Sequence, residues 1–231
     1  MLNDKMLPTA IVTTSAVGNK YWSKLLLALI PLTTILGNML VILSVLEFKS
    51  LQTAINFLIF GLAIADLFVA VFVMPFAVYI EISGGMWLLG DLMCNIYSAA
   101  DVACSTASIL ILAVISFDRY RAVSKPISYS RKTQNTKKVF YMLGGIWATS
   151  LALASPIVFG ANTRPARENP HECRLYHPYF LIFSSIISFV IPCFVVLFVY
   201  LRIMKELRKR EKAARLRHLT KSNEISAMAQ W

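Results

Sequence analysis

The sequence predicts an all-α, polytopic membrane helix bundle with five spans, and three observations carry that expectation. The 231 residues are 57% hydrophobic and only 15% charged, with a mean hydropathy of +0.63, far more apolar than an ordinary soluble domain. Five segments each hold the roughly 20 apolar residues that a helix needs to cross a hydrocarbon core of about 30 Å. The basic residues behind the formal net charge of +11 do not gather on one face, as a nucleic-acid surface requires, but sit between the apolar segments. Lipid is the expected surroundings and nucleic acid is not a partner.

The first segment, Lys24 to Leu46, is nearly free of charge and carries Gly37 and Asn38. The second, Ala54 to Ile80, is apolar apart from Asp66, and the third, about Leu92 to Ala122, contains Asp101. The fourth covers about Val139 to Gly160 with Trp147 and Pro156, and the fifth about Pro178 to Leu201 with Pro192 inside it. Prolines at these places are tolerable because neighbouring helices satisfy the freed carbonyls. Residues Met1 to Ser23 lack the pattern of a cleaved secretory signal, so the first apolar run is expected to remain as an anchor.

Lys and Arg set the orientation. They crowd the connection after the third segment (Arg119, Arg121, Lys125, Arg131, Lys132, Lys137, Lys138) and the stretch after the fifth, from Arg202 to Lys221. The connection from Glu81 to Asp91 has none, and the one around Cys173 has Arg164, Arg167 and Arg174. Lys20 and Lys24 against Lys49 point the other way for the first span, but the whole-chain sum decides. The expectation is an extracellular N-terminal segment (1–23), a transmembrane domain (24–201) and a basic cytoplasmic tail (202–231), in a multi-pass protein of the plasma membrane. Helix five is expected to run on into the cytosol, where its basic residues meet either the anionic leaflet or a partner protein. Cys94 and Cys173 lie at the edges of polar connections and are the one expected disulfide; Cys104 and Cys193 lie within apolar stretches, where a thiol behaves as a small hydrophobe.

An ionisable side chain inside a span costs at least about 2.5 kcal/mol to insert, so each is a candidate functional group. Asp66 lies about 12 residues, roughly 18 Å, from one end of its helix, near the midplane. Asp101 lies about seven residues past Cys94, near 10 Å below the outer surface. A carboxylate there suits a cationic ligand, since an ammonium group makes a charge-assisted bond to it in low dielectric. The competing reading is a structural pair, but no Lys or Arg of this chain sits at matching depth. Ser184, Ser185 and Ser188 lie at comparable depth on the fifth helix, with 184 and 188 on one face; hydroxyls there can meet ring hydroxyls, although small residues also simply let helices approach. Asp118-Arg119-Tyr120 falls about 27 Å along the helix from Asp101, at the inner boundary. His171, His177 and His218 all fall in or beside connections, with no nucleophile and base on one face, so the chain is not expected to be an enzyme. Asp66 and Asp101 could also serve a transporter or pump as a relay, but no inverted repeat and no intramembrane lysine accompanies them.

Together these residues resemble the rhodopsin-like receptor family. Gly37-Asn38, Leu62-Ala63-Ile64-Ala65-Asp66, Asp118-Arg119-Tyr120, Trp147, and Pro192 with Tyr200 match the family's landmarks in order. Asp101 resembles the amine-binding aspartate of aminergic receptors, and Cys104 to Leu110 is aminergic in character. Val73-Met74-Pro75, Val78-Tyr79-Ile80-Glu81, Ser155 to Gly160 and Ser184 to Phe189 look most like the inhibitory dopamine class, while Cys104-Ser105 departs toward the stimulatory dopamine and adrenergic pattern. The resemblance implies a biogenic amine ligand, dopamine first and the serotonin, octopamine, tyramine and adrenergic types as alternatives. It assigns ligand contact to Asp101, Val102, Ser105, Ser184, Ser185, Ser188 and Phe189. It gives activation to Asp118, Arg119, Tyr120 and Tyr200, with Arg119 held by Asp118 until a heterotrimeric G protein of the inhibitory class engages it. It makes Asp66, Ser108 and Asn38 part of a regulatory sodium site, with no other cofactor. The family's sixth and seventh helices have no counterpart after Leu201. A form truncated after the fifth helix is therefore expected, whether fragment, isoform or engineered piece, with a receptor dimer and membrane lipid among its partners. One alternative is a non-signalling form that pairs with and interferes with a full-length receptor.

Overall fold

The computed structural model describes residues 8–124, 129, 136–165 and 168–228. Lys125, Arg131, Lys132 and Arg167, which contribute to the orientation argument, lie outside them. Five helices among the described residues are long and apolar enough to cross a membrane. We number them α1 (Pro8–Glu47), α2 (Ala54–Ile82), α3 (Gly90–Ser124), α4 (Thr136–Gly160) and α5 (Pro178–Thr220, continuing helically to Met228). The first four spans coincide with the expected segments to within a few residues, and the fifth helix runs on past Leu201 to Thr220, the continuation expected of it. Helix α1 starts at Pro8, within the expected N-terminal segment 1–23, and its apolar part at Leu27. Proline suits the first turn of a helix, where its missing N–H has no partner to lose, and no further proline follows until Pro31.

Short polar devices stop and restart the helices. After α1 a single tight turn, Lys49–Leu51, leads to Thr53, whose hydroxyl oxygen accepts the Asn56 N–H at 3.4 Å and caps α2. The Asn56 side chain donates back to the Leu51 carbonyl at 2.7 Å. At its far end α4 closes on Gly160, whose φ of +99° is costly for any residue with a Cβ.

Two helices share a backbone irregularity. In α2 a widened π turn, Val69–Val73, ends two residues before Pro75, and the Met74 N–H bonds the Val69 carbonyl five residues back. In α5 the π turn Ile186–Val190 ends two residues before Pro192, and the Ile191 N–H bonds the Ile186 carbonyl. Proline has no N–H, and its ring collides with the carbonyl four residues earlier. An extra residue in the preceding turn relieves that collision, which is how such bulges arise.

The central helix is α3, which packs against α2, α4 and α5, while α1 packs on α2. One apolar cluster joins α2, α3 and α4 through Leu58, Ala65, Ala107, Ile111, Val139 and Leu143, flanked by Trp147. Gly61 makes this approach feasible, since a Cβ there would lie 2.6 Å from the Leu143 Cδ2. Trp147 meets Phe68 edge to face at 5.6 Å. Toward the Cys94 end a second cluster, Ala99, Ala103, Ala154 and Ile157, receives Val102 of α3, Phe180 of α5 and Leu175 of the α4–α5 connection. The remaining large apolar side chains, such as Leu36, Leu92, Phe183 and Phe194, are exposed, as lipid-facing positions must be in a bundle without water around it.

Candidate functional site

Asp101 stands on α3 with its carboxylate open to one flank. Its Oδ1 accepts the Ser105 hydroxyl, one turn along the same helix, at 3.3 Å, and both residues are exposed. Among the described residues no Lys, Arg or His pairs with it. Val102 beside it is half-buried in the second cluster. A turn before Asp101, Tyr97 stacks on Trp87 at 5.7 Å, and Phe76 and Tyr79 complete an aromatic corner between α2 and α3. Trp87 is 2% exposed and is held by its ring N–H on the Gly90 carbonyl and its backbone N–H on the His171 carbonyl, each at 2.8 Å.

The π turn of α5 packs against α3 and sorts the serines. Ser184 is half-buried and Ser188 is 8% exposed, its hydroxyl without a hydrogen-bond partner among the described residues. Ser185 and Phe189 lie on the exposed side of α5. A π turn advances less than 100° per residue, so 184 and 188 line up more closely than in a regular helix, and 185 pairs with 189. The four candidates on α5 thus divide into a pair toward the bundle and a pair away from it.

At midplane depth, Asp66 and Ser108 meet across α2 and α3: the Ser108 hydroxyl donates to Asp66 Oδ1 at 2.9 Å. The Asn38 amide nitrogen donates within its own helix, to the Thr34 carbonyl at 3.0 Å. A carboxylate and a hydroxyl oxygen suit a hard cation in kind, and of the three expected residues these two come together.

Toward the basic end of α3, no ion pair joins Asp118 to Arg119. The Asp118 Oδ2 instead accepts the Tyr129 hydroxyl at 2.7 Å. Consecutive helix residues point about 100° apart, so a direct pair would strain both side chains. Arg119 is exposed and Tyr120 half-buried, and Tyr200 on α5 is 57% exposed. Tyr129 was not legible as a partner because it lies 11 positions from Asp118, a separation that no helical spacing predicts.

Cys94 and Cys173 form a disulfide with Cα atoms 5.5 Å apart, closing a separation of 79 residues. By chain entropy a loop of that size is worth about 4 kcal/mol. The same connection is tied by an Arg164–Asp91 ion pair at 2.8 Å, by Arg174 on Glu168, and by Asn162. Asn162 drew no attention in the sequence; its only signal is a polar residue two positions after the glycine that ends α4.

A five-helix bundle centred on α3, with an intramembrane aspartate near a disulfide-tied connection and an Asp-Arg-Tyr at the opposite end, defines a class of membrane receptor. Residues 37–230 match the family 7 transmembrane receptor (rhodopsin family), so the chain belongs to the rhodopsin family of seven-transmembrane receptors, which are not enzymes. Over 210 residues, 91% of this chain and 24% of the relative, it is 61% identical to "Dopamine receptor 2" of Caenorhabditis elegans. It is 49% identical to the "Dopamine D2-like receptor" of Drosophila melanogaster over 88% of this chain and 22% of that protein, and 42% identical to the "D(2)-like dopamine receptor" of Takifugu rubripes over 81% and 40%. The chain is thus a homologue of D2-like dopamine receptors that spans well under half the length of these relatives.

Proposed function

We propose that the chain is a biogenic amine receptor of the inhibitory dopamine class, a multi-pass protein of the plasma membrane with its N-terminus and the Cys94–Cys173 bridge outside. The observation that carries this is the open Asp101 carboxylate, unpaired with any cation among the described residues, on the helix that faces the buried, partnerless Ser188 hydroxyl. The ammonium of dopamine binds Asp101, where a charge-assisted bond in low dielectric is strongest. Its catechol hydroxyls reach Ser188 and Ser184, and a donor or acceptor in the ligand relieves the cost of leaving the Ser188 hydroxyl unsatisfied. Val102 and Ser105 border the ammonium, and Ser185 and Phe189 contribute the outer side of α5.

At the cytoplasmic end Arg119, with Asp118, Tyr120 and Tyr200, engages an inhibitory heterotrimeric G protein. Asp66 and Ser108 would hold a sodium ion that favours the resting state. The test is binding of radiolabelled dopamine by this chain joined to the C-terminal part of the C. elegans relative. Asp101→Asn is expected to weaken saturable binding at least about tenfold, and undiminished binding would overturn the proposal.

Exposure of Phe194, Phe198 and Leu201 at 68%, 58% and 67% supports a second reading for these 231 residues expressed alone. Without additional helices they associate with a full-length relative and lower its signalling, because packing and interhelical contacts drive association in lipid. A dopamine response from residues 1–231 alone, in cells without an endogenous receptor, would exclude it.

A further inference from the structure

Two recesses follow one another along the seam between α3 and α4, apart from Asp101. The first, at the Cys94 end, encloses about 540 Å³ between the start of α3 and the connection after α4, and is polar: Asp91 and Asn95 face Thr163, Arg164 and Glu168. The second is a groove of about 400 Å³ within the apolar span. Its floor is the buried Ala99, Ala103 and Ala154, and its walls are the exposed Ile96, Leu151 and Phe159. The two adjoin, because Asp91, Asn95, Ala99 and Ala103 recur every four residues and share one face of α3. A polar recess opening onto an apolar groove has the form of an amphiphile. From Ile96 to Ala103 the helix rises about 10 Å, most of the depth of one leaflet in a core of about 30 Å.

The polar end selects the head group. Arg164 donates through Nη1 to the Pro170 carbonyl and through Nη2 to Asp91 Oδ2, each at 2.8 Å. A guanidinium carries five N–H groups, and its planar fork suits a phosphate, so donors remain for one. Asn95 accepts the Asn162 amide through its oxygen at 2.8 Å, which leaves its nitrogen as a further donor. The second oxygens of Asp91 and of Glu168, whose Oε2 meets Arg174, can accept an ammonium. Among the described residues the recess thus sets two carboxylates against one guanidinium, a balance that opposes a net-negative head group and matches a phosphate followed by an ammonium. We propose that this seam binds a zwitterionic phospholipid, phosphatidylcholine or phosphatidylethanolamine, with its phosphate on Arg164, its ammonium between Asp91 and Glu168, and one acyl chain in the alanine-floored groove.

The experiment places the whole chain in vesicles of equal parts phosphatidylcholine and phosphatidylglycerol, with the Cys94–Cys173 bridge verified by non-reducing peptide mapping. Trace phosphatidylcholine or phosphatidylglycerol, each bearing the same photoreactive acyl chain, is activated, and labelled peptides are quantified. The phosphatidylcholine probe is expected to label the groove segments of α3 and α4 at least about tenfold more than the phosphatidylglycerol probe, the equivalent of one charge-assisted bond. Both probes should label the lipid-facing Phe194–Leu201 segment of α5 alike. Arg164→Gln is expected to bring groove labelling down to the α5 level, and Asp91→Asn to let the phosphatidylglycerol probe label the groove nearly as well as the other. If Arg164→Gln fails to form the bridge, Ala100→Leu carries the comparison, since Ala100 borders the groove and the longer side chain should exclude the acyl chain without touching the recess. Even labelling of groove and α5 by both probes would mean a fluid lipid annulus only and would overturn the proposal, as would undiminished groove labelling in Ala100→Leu.

Discussion

The region around Asp66 and the Cys94-end third around Asp101 place the same residue type on adjacent helices in opposite circumstances. Asp66 is half-buried, and one of its oxygens is bonded by Ser108, a residue 42 positions away on another helix. Asp101 is exposed and, among the described residues, bonded only by Ser105, four positions away on its own helix at a longer 3.3 Å. A bond across helices ties two elements of the bundle together, so its loss is felt as stability. A bond within one turn ties nothing together and leaves the carboxylate free to exchange it for a ligand. The difference teaches that depth and charge nominate a functional carboxylate, and the origin of its hydrogen-bond donor tells which function it serves.

The largest effect should come from the region around Asp101. Asp101→Asn is expected to lower dopamine affinity at least about ten- to two-hundredfold, the equivalent of about 1.5–3 kcal/mol for a lost charge-assisted bond, with thermal stability nearly unchanged. Saturation binding and a melting curve on the same preparation read both. Next comes Ser108→Ala, which leaves a half-buried carboxylate without its cross-helix donor and should cost about 1–3 kcal/mol of stability, seen as a lower melting temperature in detergent, with dopamine affinity within a few-fold of the parent. If it instead weakened dopamine as Asp101→Asn does, the contrast between the two regions would collapse.

A finer version of the same contrast lies within α5. Ser188→Ala should cost about 0.5–1.5 kcal/mol of affinity for ligands bearing ring hydroxyls and nothing for those without; Ser185→Ala, on the exposed side of the helix, should cost less. Equal losses at the two positions in competition binding would show that the π turn does not sort them. The smallest effect is expected at the basic end, where Tyr129→Phe removes the hydroxyl that occupies Asp118 and should raise basal G-protein activation a few-fold, measured as nucleotide exchange without ligand. A fall in basal activity would mean that this bond supports the active arrangement.

The sequence by itself determined the number and limits of the spans, because a hydrocarbon core imposes a length and a composition that no soluble context requires. It also singled out Asp66 and Asp101, since a charge in lipid is too costly to be incidental, and it paired Cys94 with Cys173 by their places at the edges of polar connections. Tertiary structure alone decided the rest. Ser188 was separated from Ser185 by the π turn before Pro192, which shifts the helical phase that simple spacing assumes. Asp118 accepts the Tyr129 hydroxyl, and Asn162 holds Arg174 and Tyr176, partners that spacing along the chain does not predict. A hydrogen bond selects partners within about 3 Å in space, and separations such as the 67 positions between Asn95 and Asn162 leave no periodic trace along the chain.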